Sequence, residues 1–318
     1  AEWLPEYDAY GQYLHGVAEA QRLAPDAAFL ARQWPRAQRV LARFETLRAR
    51  RTTDEYRDTA VFGLLPESMS HEGYMAQPVH AYWDDFWALR GLHDAAWLAT
   101  QAGAPHEARR IATLADEFAT RLHASLQRCM ATHAIDFIPG SVELGDFDAT
   151  AIAVALTVAD DGDGLPRAAL DATFDRYLAI RAERHASRSW SNYSAYEIRI
   201  VGALIRLGRR DDALKVLHEL LADCRPPAWR QWPEQSWRDY DAPAFLGDLP
   251  HSWIGAEYIH ALTSAFAYEH RSDASLVLAA GVDGAWLHDA GVTVTALATH
   301  YGALSYRLRR IDAARVEM

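Results

Sequence analysis

Tyr82, Trp83, Asp84, Asp85, Phe86 and Trp87 follow one another where a long loop feeds an apolar helical stretch. A carboxyl among aromatic rings loses hydration, which disfavours its charged form and raises its pKa, as a general acid requires. The structural alternative is that either acid caps free N–H groups of the helix and complements its dipole. Far along the chain, Glu234 follows Pro233 amid Trp229, Trp232 and Trp237, with no helix or strand expected there for it to stabilise. That makes Glu234 the first choice for a general base. One protonated carboxyl and one carboxylate, roughly 6.5–9.5 Å apart, can cleave a glycosidic bond with inversion, the first protonating the leaving oxygen and the second activating water.

Two further stretches carry acids beside aromatics. In FIPGSVELGDFDATA, Asp146 or Asp148 is expected to cap the next helix, while Glu143 has no such duty and is free to hydrogen-bond sugar hydroxyls. A metal site in Asp146-Phe147-Asp148 is weighed and set aside, because hard cations need more oxygen ligands at regular spacing. In SRSWSNYSAYEIRI, Trp190, Tyr193, Tyr196 and Glu197 open another apolar helix, and a buried Glu197 is costly unless it is hydrogen-bonded or functional. Exposed aromatic planes stack on sugar rings, although core packing explains aromatic abundance equally well. The expected substrate contacts are Glu72, Tyr82, Trp83, Glu143, Asp146, Trp190, Tyr196, Glu197, Trp232, His251 and Trp253.

Positioning such groups falls to helices. Helical periodicity dominates from about residue 6 to 270, with candidate helices near 6–22, 27–50, 83–101, 105–130, 148–160, 166–184, 193–208, 210–224 and 253–270. Short Gly-bearing links follow Thr100, Asp160 and Leu207, whereas long acid- and aromatic-rich links occupy 51–82, 131–147, 185–192 and 225–252. Short links force antiparallel hairpins, so the long links are expected to emerge together at one decorated end. The stretches 83–101, 148–160 and 253–270 are apolar on most of their circumference, while 105–130 and 166–184 carry a polar stripe, as inner and outer rings would. The pattern predicts an all-α, (α/α)6-type toroid over 1–271, with about five hairpins and an N-terminal helix pair lacking. An open solenoid is the alternative, without a self-similar repeat to support it. After Ser272, Val/Thr alternation and Gly turns predict a short strand-rich appendage over 272–318.

Composition narrows the partners. With 318 residues, half of them hydrophobic, a sizeable core is expected. The formal charge of −11 and the absence of a basic run argue against nucleic acid. Cys129 and Cys224 are too few for a disulfide framework and lack metal-type spacing. Without a long apolar run no membrane partner is expected; the chain reads as soluble, with a periplasmic or secreted location ahead of a cytoplasmic one. The start at Ala1 suggests a processed product or the remainder of a longer polypeptide.

The blocks G-L-L-P…Y-W-D-D-F-W (Gly63 to Trp87), W-P-E (Trp232 to Glu234) and P-H-S-W (Pro250 to Trp253) resemble the six-hairpin glycosidase superfamily, which includes glucoamylases, processing α-glucosidase I and trehalases. The resemblance spans most of residues 27–310, with the first block the most specific. It implies a bacterial-type carbohydrate-active hydrolase acting on an oligo- or polysaccharide, with no metal or cofactor. It places the acid on Asp84 or Asp85 and the base on Glu234, with Glu67 and Glu72 as reserve acids. The competing readings are a sugar epimerase of related toroid type, using two of His71, His80 and His251; a polysaccharide lyase; and a non-catalytic glycan-binding toroid.

Overall fold

The computed structural model describes residues 5–70, 73–187, 192–224, 226–237, 247–288, 290–312 and 315–318. These are mostly helical, with short antiparallel strands concentrated near the C-terminus. They divide into two compact units, Ala1–Asp175 and Arg176–Met318.

The first unit contains α1 (Asp8–Leu23), α2 (Ala27–Ala49), α3 (Tyr82–Gln101), α4 (Pro105–His133), α5 (Ala149–Thr157) and the start of α6 (Arg167–Ala186). Its helix starts are those its residues favour. Asp26 accepts from the amides of Ala28 and Phe29, Pro105 occupies the first turn of α4, and Asp148 accepts from the amides of Thr150 and Ala151. The central element is α3, against which α1, α2, α4 and α5 all pack. Every residue from Tyr82 to Leu92 is buried, as expected for an apolar circumference, whereas α4 buries one stripe through Ile111, Ala115, Phe118, Leu122 and Leu126.

Two glycines let α1 approach α3. A Cβ on Gly91 would lie 2.8 Å from the Gly11 Cα, and one on Gly11 would collide with the Trp87 carbonyl. Because the obstruction is backbone, relief requires moving a whole helix. Gly11→Ala is therefore expected to cost about 1–3 kcal/mol by overpacking, read as a lower denaturant midpoint; Gly16→Ala, with open space around it, is the control expected to be neutral or stabilising.

The second unit contains the remainder of α6, β1 (Asn192–Ser194), α7 (Ile198–Arg206), α8 (Arg210–Ala222), β2 (Gln235–Trp237), α9 (Ser252–Phe266) and strands β3 (Ala267–His270), β4 (Ser275–Leu278), β5 (Val292–Thr299), β6 (Gly302–Arg310) and β7 (Val316–Glu317). Here α7 packs against both α8 and α9 and is buried from Ile198 to Ile205. The expectation that α9 would be buried most of the way round is corrected. It buries one face, Ile254, Glu257, Ala261, Ser264 and Ala265, and leaves Ile259 62% exposed.

Two expected helix ends are also corrected by pairing across the chain. The stretch expected to begin a helix at 193 starts as β1, antiparallel to β2 with Tyr193 opposite Ser236, then a single 3-10 turn leads into α7. The helix expected to run to 270 ends at Phe266, because Ala267–His270 pairs with Ser275–Leu278, a partner invisible to local periodicity. The strand-rich C-terminal segment thus begins at Ala267 rather than after Ser272, and β5, β6 and β7 form an antiparallel sheet.

Candidate active site

In the first unit the long links do converge on the N-terminal ends of α3 and α5. The Tyr82 amide donates to the Gly140 carbonyl (3.0 Å), Val142 to His80 (3.0 Å) and Gly140 to Asp146 (2.8 Å). On this crossing the N-cap position of α3 is Ala81, which offers no side-chain cap, and the two acids of the first turn reach into the entry loop. Asp84 accepts from the hydroxyls of Ser68 and Ser70, the latter at 3.0 Å. Asp85 Oδ1 accepts from the Leu65 amide at 3.1 Å, while its Oδ2 is buried with no hydrogen-bond partner among the described residues.

Burial pushes Asp85 well above the usual carboxylate range; the Leu65 N–H opposes this, and the charges of Asp84 and Glu143 reinforce it. The raised value has a consequence for stability. A carboxyl that binds its proton more tightly in the folded chain contributes stability below its unfolded pKa, about 3.9, and loses it as pH rises towards the folded pKa. Asp85→Asn removes that titration. Its stability relative to the native chain is expected to rise by up to about 1.4 kcal/mol per pH unit above pH ~4, measured by urea unfolding at a series of pH values. A difference constant with pH would contradict the raised value.

Glu143 is engaged as well. Its Oε2 accepts from the His80 amide (2.9 Å), its Oε1 meets His80 Nδ1 (2.5 Å), and Arg51 Nε donates to His80 Nε2 (2.8 Å). With Nε2 accepting from Arg51, the His80 ring proton belongs on Nδ1, facing Glu143. Burial works against the charge of Glu143, but these bonds to His80 hold its carboxyl below the usual range. Asp146 accepts from Tyr74 (2.8 Å) and Ser141 (2.6 Å), and Asp148 is the helix cap. Access separates the acids. Asp84 and Asp85 are 1% exposed, whereas the side chains of Glu67, paired with Arg51, and Glu143 are 44% and 35% exposed. Tyr82 and Trp83 are core residues: the Tyr82 hydroxyl shares a hydrogen bond with Ser125, and the Trp83 indole donates to Asp8.

In the second unit the link 225–252 folds back on itself at Glu234 and meets the start of the α7 segment there. Its carbonyl accepts from the Ala195 amide (3.1 Å), its amide donates to Asp248 (3.2 Å), and the His251 amide donates to Trp232 (3.2 Å). Contrary to the sequence expectation, a strand does follow at once, and β2 fixes the Glu234 backbone. The half-buried Glu234 side chain has no hydrogen-bond or ion-pair partner among the described residues. Room for it depends on Gly247, whose φ of 62° suits glycine and where a Cβ would strike the Glu234 carboxylate.

Beside this crossing Tyr196 and His251 share a hydrogen bond of 2.6 Å, Trp253 meets Tyr196 edge-on at 5.3 Å, and Asp248 Oδ2 lies 3.7 Å from His251 Nδ1. The positive groups nearby are matched: Arg199 pairs with Glu257 (3.1 Å), and Arg181 and Arg184 with Glu197 (2.8 and 2.7 Å). Glu197, also bonded by the Tyr177 hydroxyl, is thus a compensated buried carboxylate in a structural ion cluster. Trp232 is buried, its indole donating to the Leu220 carbonyl. Glu72, His71 and Trp190 lie outside the described residues.

The residues sequence reasoning missed are the ones that hold the acids: Ser68, Ser70, Arg51, Tyr74 and Ser141. Isolated serines and tyrosines in a loop carry no spacing signal that would have found them. Among the described residues no cluster of His, Cys, Asp and Glu could hold a metal ion, and no helix is long and apolar enough to cross a membrane. No family model matches the chain, and no curated protein matches it.

Proposed function

We propose that the chain is a glycoside hydrolase, built as a toroid of helical hairpins, that cleaves an oligo- or polysaccharide with inversion. Glu234 activates water, and the resemblance of the Tyr82–Trp87 block assigns the proton donor to Asp84 or Asp85. The observation that carries the reading is Glu234: a residue fixed by backbone hydrogen bonds to Ala195 and Asp248, without a side-chain partner among the described residues, and set near Tyr196, His251 and the half-exposed ring of Trp253. Fixed geometry with a free reactive group is what general-base catalysis requires. The buried environment that favours the neutral form of Asp85 supports the donor assignment. Glu67, solvent-accessible in the same loop, is the reserve donor.

Epimerisation by a histidine pair is weakened, since both ring nitrogens of His80 are occupied and the residue is 3% exposed. The test is a screen of α- and β-linked oligosaccharides for reducing-end release, run with the native chain, Glu234→Gln, Asp85→Asn, Glu67→Gln and His251→Ala. Hydrolysis lost in Glu234→Gln and retained in His251→Ala supports the reading. Turnover surviving Glu234→Gln overturns it, as does oligosaccharide binding without turnover, which would make the chain a glycan-binding module. Among the remaining variants, the one that loses hydrolysis identifies the donor.

A further inference from the structure

The last turn of α8, the 3-10 turn Pro227–Trp229 and α9 enclose a cleft of about 520 Å³, lined chiefly by Leu221, Ala222, Pro227, Arg230, Trp232 and Tyr258. Its size falls in the range of small-molecule sites, roughly 300–1,000 Å³. Two aromatic rings make one wall: Trp232 and Tyr258 meet at 5.2 Å with a tilt of 50°, and Leu221, 40% exposed, extends the apolar surface.

The polar groups of this cleft differ from the arginines that pack in the interior and at the helix ends of the unit. Arg181, Arg184, Arg199 and Arg209 are each matched to a carboxylate. The exposed Arg230 guanidinium, on a chain of net charge −11, has no hydrogen bond or ion pair among the described residues. Its backbone sits in the left-handed region at φ 52°, an uncommon conformation for a residue with a side chain, closing the turn that places it at the cleft. The Tyr258 hydroxyl likewise has no hydrogen-bond partner among the described residues. A planar unpaired guanidinium beside an apolar wall is suited to a planar carboxylate on an apolar body, which it can meet with two parallel N–H donors.

We propose that this cleft binds a small aryl carboxylate, its ring against Trp232 and Tyr258 and its carboxylate on Arg230. The claim stands on the cleft alone and does not depend on glycosidic chemistry at Glu234. Calorimetric titration of the whole chain with 2-naphthoate, 2-naphthylmethanol and 2-naphthylmethylamine tests it. One naphthoate binds per chain, and the neutral and cationic analogues bind at least about tenfold more weakly. Arg230→Gln weakens naphthoate by about tenfold or more, Arg230→Lys by less, and Ala222→Phe, which fills the cleft, abolishes binding. Equal affinity for the three probes, no binding at millimolar concentration, or affinity unchanged in Arg230→Gln and Ala222→Phe overturns the proposal. Displacement of naphthoate by a neutral oligosaccharide at comparable concentration also overturns it, assigning the cleft to sugar.

Discussion

Glu234→Ala is expected to lower turnover of the cleaved oligosaccharide by about 10²- to 10⁴-fold, the usual contribution of a general base. Its effect on stability is expected to be small, within about 0.5 kcal/mol, since the side chain has no described partner to lose. That combination separates a reacting group from a structural one. A second readout makes it sharper. The truncated side chain leaves a space beside Gly247 in which azide, a nucleophile that needs no base, can take the place of water. Added azide should restore bond cleavage in Glu234→Ala and yield the glycosyl azide of inverted configuration. Loss of turnover accompanied by a large fall in unfolding midpoint would instead make Glu234 a structural residue.

The largest effect on stability is expected at Asp94, on α3 far along the helix from the paired acids. Asp94 is 1% exposed and accepts from Arg90 (2.7 Å); Arg22 (2.7 Å) and His15 (2.8 Å) complete its surroundings, and Arg90 also donates to the Val158 carbonyl (3.1 Å). Burial opposes the charged form, but Arg90, His15 and Arg22 together outweigh it and hold the carboxyl well below its ordinary range. Asp94→Asn removes the nearer carboxylate from the buried Arg90 guanidinium, leaving it Glu19 at 3.4 Å, and is expected to cost about 3–5 kcal/mol. A depressed folded pKa means this stability is present above the unfolded value of about 3.9 and is lost as pH falls through the folded one. The gap between native and Asp94→Asn chains should therefore be constant from about pH 5 upward and close at lower pH. Urea unfolding across that range measures it; a gap below about 1 kcal/mol at pH 7 would show that the pair is not a stabilising unit.

What was legible in the sequence follows from how local each cause is. Periodicity marks the nine α-helices found among the described residues, because an apolar stripe such as Ile111, Ala115, Phe118, Leu122 is written within one element. Link length alone implied that long links meet one another, and within each unit they do; their emergence together at one end of a single ring belongs to the proposed toroid. Strands β1, β2 and β3 were not, since each exists through a partner elsewhere in the chain: Tyr193 opposite Ser236, Tyr268 opposite Val277. The acids at 84, 85, 143, 146 and 234 were all singled out, yet their situations were not readable. His80 and Glu143, set down as separate candidates 63 positions apart, are partners. Asp84 and Asp85 fasten the entry loop rather than merely ending a helix. The Asp94 network has one local sign in the sequence, Arg90 and Asp94 four positions apart on a helix whose neighbouring positions are mostly apolar.

The central claim is that a positioned carboxylate directs water at a sugar carbon from the face opposite the leaving group. Proton NMR of the anomeric signals in the first minutes of reaction, before mutarotation mixes them, tests it most directly. Inversion of the anomeric configuration, lost in Glu234→Gln, is the predicted result. Retention of configuration would require a covalent or otherwise double displacement and would contradict the account.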